Sequence, residues 1–105
     1  MVEIIWTEPA LADLEAIADY IALENPAAAA ALVKRVYDHV GQLAAHPASG
    51  PRLPELGPRN RYRHIVEPPC RVLYRHDAQR VSVVHVMRTS RLLRPDDLDR
   101  LTPPE

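Results

Sequence analysis

The period of apolar and polar positions changes twice along this chain. Val2-Glu3-Ile4-Ile5-Trp6 is short, β-branched and partly alternating, the pattern of a half-buried strand. Thr7 then offers a side-chain oxygen to the unbonded N–H groups of a first helical turn, where Pro9 is tolerated. From Glu8 to about Leu23, Leu11, Leu14, Ile17, Ala18 and Ile21 recur at helical spacing while Asp13, Glu15, Asp19 and Glu24 take mostly the other positions. That spacing predicts an amphipathic helix. Asn25-Pro26 repeats the capping device, so a second helix starts almost at once and folds back on the first as a hairpin. Small residues from Ala27 to Ala31 allow close approach to a neighbour, Leu32, Val36, Val40 and Leu43 continue one stripe, and His46-Pro47 ends it.

Residues 47–60 hold Pro47, Pro51, Pro54 and Pro58 with Gly50 and Gly57 between them, which predicts a loop, pinned to the core by Leu53 and Leu56. Three strand-like segments follow: Arg61 to Val66, Arg71 to Arg75 and Arg80 to Arg88. Pro68-Pro69 and His76-Asp77-Ala78-Gln79 are connectors short enough for antiparallel hairpins. The predicted fold is α+β with the order β-α-α-β-β-β: a helical hairpin packed on one face of a small, mainly antiparallel four-stranded sheet, the other face left to solvent or a partner.

With 105 residues the chain is expected to form one domain over residues 1–94, followed by an acidic tail over 95–105. Phe is absent and aromatics make up 5%, so the core must be aliphatic. The single cysteine, Cys70, cannot form an internal disulfide, and the start lacks the pattern of a secretory signal; a cytoplasmic location is expected. No apolar run approaches the ~20 residues that cross a bilayer, and one Cys with five scattered His gives no paired ligand spacing for a metal. No cofactor is implied.

The net charge of −1 conceals three blocks, because residues 1–49 carry −5, residues 50–94 carry +7 and residues 95–105 carry −3. Every cation but Lys34 is Arg, which suits planar, bidentate contact with carboxylate or phosphate. Alternation places Arg61 and Arg63 on one face of their strand and Arg71 and Arg75 on one face of theirs, so a shared positive face is open to them. Such a face reads either as a surface for an acidic partner or phosphate, or as a solvated face with arginine stems over apolar surface.

The ordered set of segments resembles the RelE/ParE toxins along nearly the whole chain. The carrying residues are Ile5-Trp6-Thr7 with Ala10-Leu11-Ala12-Asp13-Leu14, Ile17-Ala18-Asp19-Tyr20-Ile21, Asn25-Pro26-Ala27-Ala28-Ala29, His46-Pro47-Ala48-Ser49-Gly50 and Pro54-Glu55-Leu56. The last two strands add Arg71-Val72-Leu73-Tyr74-Arg75 and Val83-Val84-His85-Val86-Met87-Arg88. The resemblance implies a growth-inhibiting toxin of a type II toxin–antitoxin system. Its antitoxin, expected to be of ribbon-helix-helix type, wraps the toxin in a hetero-oligomer and carries most of the contact with operator DNA. Two mechanisms occur in the superfamily: ParE-like members poison DNA gyrase, and RelE-like members cut messenger RNA on the ribosome.

RNA cleavage needs a base for the 2′-hydroxyl, cations for the phosphorane and an acid for the leaving oxygen. RelE-like enzymes resemble one another in a late Tyr or His, whereas after Met87 this chain offers neither. His85 and Arg88 are the catalytic candidates if the chain is a nuclease; otherwise His85 is a sheet-face histidine beside Val83 and Met87. A net charge of −1 leans toward a protein target over a dense phosphate surface. Partner or target contact is expected at Arg61, Arg63, Arg71, Arg75, Arg88, Arg91 and Leu92, the last three because ParE-like toxins resemble one another in using their final segment against the target. Tyr62 and Tyr74 are expected to pack the sheet with their hydroxyls at its edge, and Tyr20 and Tyr37 to lie within the helical hairpin.

Overall fold

The computed structural model describes residues 1–56 and 61–91. Strand β1 (Glu3–Trp6) passes into helix α1 (Glu8–Ala22) through Thr7, whose Oγ1 accepts the Ala10 N–H at 3.4 Å and donates to the Val83 carbonyl at 2.8 Å. One hydroxyl therefore caps the helix and ties its first turn to the sheet. Asn25 Oδ1 caps helix α2 (Pro26–Gly41) by accepting the Ala28 N–H at 3.0 Å, with Pro26 in the first turn. The stripe predicted for α2 is buried at Leu32, Val36, Val40 and Leu43, although the last of these lies in a 3-10 turn, Gln42–Ala44, that begins after Gly41. In α1 the buried stripe is centred on Ala10 and Leu14; Leu11 flanks it and stays 40% exposed.

The remaining strands are β2 (Tyr62–Glu67), β3 (Cys70–Asp77) and β4 (Arg80–Arg88), and the sheet order is β1-β4-β3-β2. β1 lies parallel to β4, while β2–β3 and β3–β4 are antiparallel, so the predicted architecture holds. β3 runs further than expected, because both of its hairpins are two-residue turns: Glu67 pairs with Cys70 and Asp77 with Arg80. A bulge interrupts β4, where Leu73 faces His85 and Tyr74 faces Val83, leaving Val84 as the extra residue.

Two clusters divide the core. The helices cover one sheet face, burying Ala10, Leu14, Leu32, Val36 and Val40 against Ile65, Val72, Tyr74, Val81, Val83 and Val86. The second cluster overturns the expectation that the other face is open, since Leu53, with Leu56 packed beside it, covers Tyr62, Leu73, Val84 and Met87. The loop is held there by backbone bonds from Leu53 N–H to the Tyr62 carbonyl (3.2 Å) and from His64 N–H to the Pro51 carbonyl (3.0 Å). Tyr74, with no exposed surface, donates to the Pro47 carbonyl at 2.8 Å and accepts the Gly50 N–H at 3.0 Å. Gly50 is required by close approach, because a Cβ there would fall 2.4 Å from the His64 carbonyl oxygen.

The predicted tail, residues 95–105, lies outside the described residues.

Candidate functional site

β1 pairs with β4 only from Arg80 to Val83, so the rest of β4 has no strand beside it on that side. Helix α1 lies there instead. The Asp13 carboxylate accepts the Val86 N–H at 3.2 Å and pairs with His85 Nδ1, which the bulge turns toward α1. A cavity of about 270 Å³ opens beside this pair, lined by Asp13, Ala16, Ile17, His85, Val86, Met87, Arg88, Ser90 and Arg91. Two neighbouring cavities of about 360 Å³ each continue it along α1 past Tyr20 and Arg88 to Leu23, Glu24 and Asn25. Together they make a groove with α1 as one wall and the end of β4 as the other.

The groove exposes apolar surface that the hairpin does not use. Tyr20 is 66% and Leu23 81% exposed, contrary to the placement of Tyr20 inside the hairpin. The Arg88 guanidinium lies over the Tyr20 ring, 5.0 Å from its centroid, which holds the cation at the groove's centre. Tyr37, 43% exposed, instead packs its ring 4.9 Å from that of Trp6.

The sequence-predicted arginines do not share a face. Arg63 pairs across the ladder with Tyr74, and Arg75 with Tyr62, so the β2 arginines and the β3 arginines point to opposite sides of the sheet. Arg63 donates to the Gly50 and Ala48 carbonyls at 2.8 and 3.3 Å, which makes it a loop anchor. Arg71 is buried, forks onto both oxygens of Glu55 and donates to the Arg91 carbonyl at 3.3 Å. Arg75 lies 3.3 Å from Asp77. Arg61 is exposed, and Leu92 lies outside the described residues. Arg88 and Arg91 line one cavity together with His85.

Sequence reasoning missed two clusters. Glu67 is shared by Arg35 Nε (3.2 Å) and His39 Nδ1 (3.1 Å), which joins α2 to the turn between β2 and β3. On the far face His64 sits near Arg71 and Glu55, and burial, reinforced by the Arg71 charge, lowers its pKa below the usual histidine value. Burial also raises the Cys70 thiol and the Tyr74 phenol above their ordinary ranges, so neither is primed as a nucleophile. Among the described residues no group of three or more His, Cys, Asp or Glu side chains is arranged to hold a metal ion. No helix among them is long and apolar enough to cross a membrane.

Comparison with known proteins adds four likenesses. The family model described as the ParE toxin of the type II toxin–antitoxin system parDE matches residues 4–93. The toxin RelE2 of Caulobacter vibrioides is 33% identical over 92 residues, covering 88% of this chain and 100% of that protein. A structure of the chromosomal ParDE toxin–antitoxin system from P. aeruginosa superposes with a TM-score of 0.68 at 25% identity, covering 84% of this chain and 96% of that one. The fold is also shared with a chain of the RelBE2 toxin–antitoxin complex from Mycobacterium tuberculosis, at a TM-score of 0.56 and 22% identity over 83% of this chain and 96% of that one.

Proposed function

This chain belongs to the ParE toxin family of type II toxin–antitoxin systems, and we propose that it inhibits growth in the cytoplasm by engaging DNA gyrase until a cognate antitoxin neutralises it. Operator DNA is contacted through the antitoxin. The toxin's role is to bind a protein target, and no bond is made or broken on it.

The observation that carries this reading is the closed far face of the sheet. A nuclease that attacks messenger RNA needs an open cationic surface to seat several phosphates. Here that face is roofed by Leu53 and Leu56, and its most central cation, Arg71, is consumed by Glu55. Arg88 and Arg91, which no carboxylate pairs among the described residues, stand instead on a groove whose other lining is largely apolar, the composition of a protein-docking surface. Among the described residues that line the cavity, His85 is the sole imidazole and is engaged by Asp13, and none of the others is a Tyr or Lys to protonate a leaving oxygen.

The test is a supercoiling assay with purified gyrase, relaxed plasmid and ATP, run beside translating ribosomes carrying a reporter message. Loss of supercoiling or trapped, cleaved plasmid, with the message intact, is expected. Message cleavage with gyrase unaffected would replace this reading by the ribosome-dependent endoribonuclease, with His85 and Arg88 as its catalytic candidates.

A further inference from the structure

The sheet has two outer edges, β1 and β2, and the described residues treat them differently. Along β2 the loop closes the edge. Arg52 bridges to Arg63, Leu53 N–H bonds the Tyr62 carbonyl and His64 N–H the Pro51 carbonyl, which leaves Val66 as a single outward residue, too little for a ladder. Past the end of β1, the Val86 N–H of β4 is taken by Asp13. β1 itself has no such cover. The Glu3 and Thr7 N–H groups turn toward β4, bonding the Gln79 and Val83 carbonyls at 3.0 and 3.1 Å, so alternation turns the backbone groups of Ile4 and Trp6 outward. Among the described residues nothing bonds those groups.

The open window is short and matches itself. Val2 N–H bonds the Ala44 carbonyl at 2.9 Å before it, and α1 begins at Glu8 after it. Ile4 and Trp6 stand symmetrically about Ile5, so an antiparallel copy of β1 sets Ile4 opposite Trp6 twice, and each such pair exchanges both of its N–H···O bonds. Every outward group of the two residues is then used. A longer foreign strand gains little over this, because Val2 N–H is already bonded and the chain turns into α1 after Thr7. The side chains suit the same axis. Ile5 pairs with Ser82 on the face away from the helices, packs in neither core cluster and stays partly exposed, and the axis sets it against its own copy. On the helix face Ile4 meets Trp6, a β-branched–aromatic pair beside the half-exposed Tyr37 ring. Glu3, the one charge on β1, falls opposite Thr7 and not opposite another carboxylate.

We propose that two copies of this chain associate by antiparallel pairing of β1 with β1 about a two-fold axis at Ile5, joining their four-stranded sheets into one. The pairing is isologous and uses the open edge of both copies, so it closes at two. Its small seam belongs to the weak class of interfaces, populated at high protein concentration. This self-association goes beyond the growth-inhibition reading and stands without it.

The test is analytical ultracentrifugation of the purified full-length chain over concentrations up to about 1 mM. Two variants accompany it: Ile4→Pro, which removes an outward donor that the single copy does not use, and Val66→Pro as a control at the opposite edge. Far-UV circular dichroism checks that each keeps the fold. The mass is expected to rise with concentration from 11.8 kDa toward twice that value. Association should weaken about 10-fold or more in Ile4→Pro and stay within about threefold of wild type in Val66→Pro. Amide exchange of the wild-type chain gives a second readout that needs no variant. The Ile4 and Trp6 amides should exchange more slowly as concentration rises, while the Ile5 amide, bonded within the sheet, stays protected throughout. A chain that remains a monomer at about 1 mM, or one that associates while the Ile4 and Trp6 amides exchange at an unchanged rate, would overturn the proposal. Protection of those two amides that appears only on adding the product of the adjoining reading frame would also overturn it, giving the edge to that partner and leaving the growth-inhibition reading intact.

Discussion

The Arg71–Glu55 pair makes a prediction about why the far face stays closed. Arg71 has 8% and Glu55 17% of its side chain exposed, and the guanidinium spans two carboxylate oxygens and the Arg91 carbonyl. Replacing Glu55 by Ala leaves a desolvated guanidinium with one backbone acceptor, and breaking a buried pair in this way costs about 3–5 kcal/mol. Because Glu55 keeps some contact with water, the lower end applies, about 3 kcal/mol, a large part of the ~5–15 kcal/mol that holds a small domain together. The double replacement Arg71→Met/Glu55→Leu removes both charges and keeps the volume, so it should recover most of that loss. Urea unfolding at constant pH reads both, with the midpoint falling for Glu55→Ala and returning toward wild type for the double variant, at an unchanged slope. A Glu55→Ala loss under about 1 kcal/mol, the range of solvated surface pairs, would show that the ion pair does not hold the loop.

Four further outcomes follow from groups already described. Tyr74→Phe strips the Gly50 N–H of its acceptor and the Pro47 carbonyl of its donor, so it should cost about 1–3 kcal/mol in the same unfolding assay, and Gly50→Ala should destabilise as well because the added Cβ meets the His64 carbonyl. His64 has a folded pKa below its ordinary 6.5; the unfolded chain therefore takes up the proton first, and stability is full above that value and falls as pH drops below it, a slope that His64→Gln should flatten in unfolding curves taken between about pH 7 and 5. The Cys70 thiol is buried and its pKa raised, so a thiol reagent at neutral pH should label it at the rate of global unfolding, and fast labelling of native protein would contradict its burial.

The fold was legible wherever one local signal sufficed. Thr7 and Asn25 cap the helices they were expected to cap, and the spacing of Leu32, Val36 and Val40 marks the buried side of α2. The arginine face failed for a reason that lies between strands. Alternation within β2 and within β3 was read correctly, but the relation of the two depends on the turn, and a two-residue turn at Pro68-Pro69 pairs odd residues of β2 with even residues of β3. That places Arg63 and Arg71 back to back. Leu53 and Leu56 signalled a pinned loop, and what they covered became clear only with the register that puts Tyr62 and Leu73 on one side. Asp13 gave no signal as a partner of His85, because a one-residue bulge at Val84 decides where that imidazole points.

The parallel pairing of β1 with β4 joins the first strand of the described residues to the last. Both walls of the groove depend on that junction, since α1 hangs from Thr7 and Thr7 is bonded to Val83. A nascent chain still lacking β4 thus carries an α1 with nothing opposite it, and such distant closure comes late because its loop entropy must be met first. The groove between α1 and β4 is therefore assembled only once synthesis has passed β4, so a ribosome that stalls earlier leaves α1 without its opposite wall.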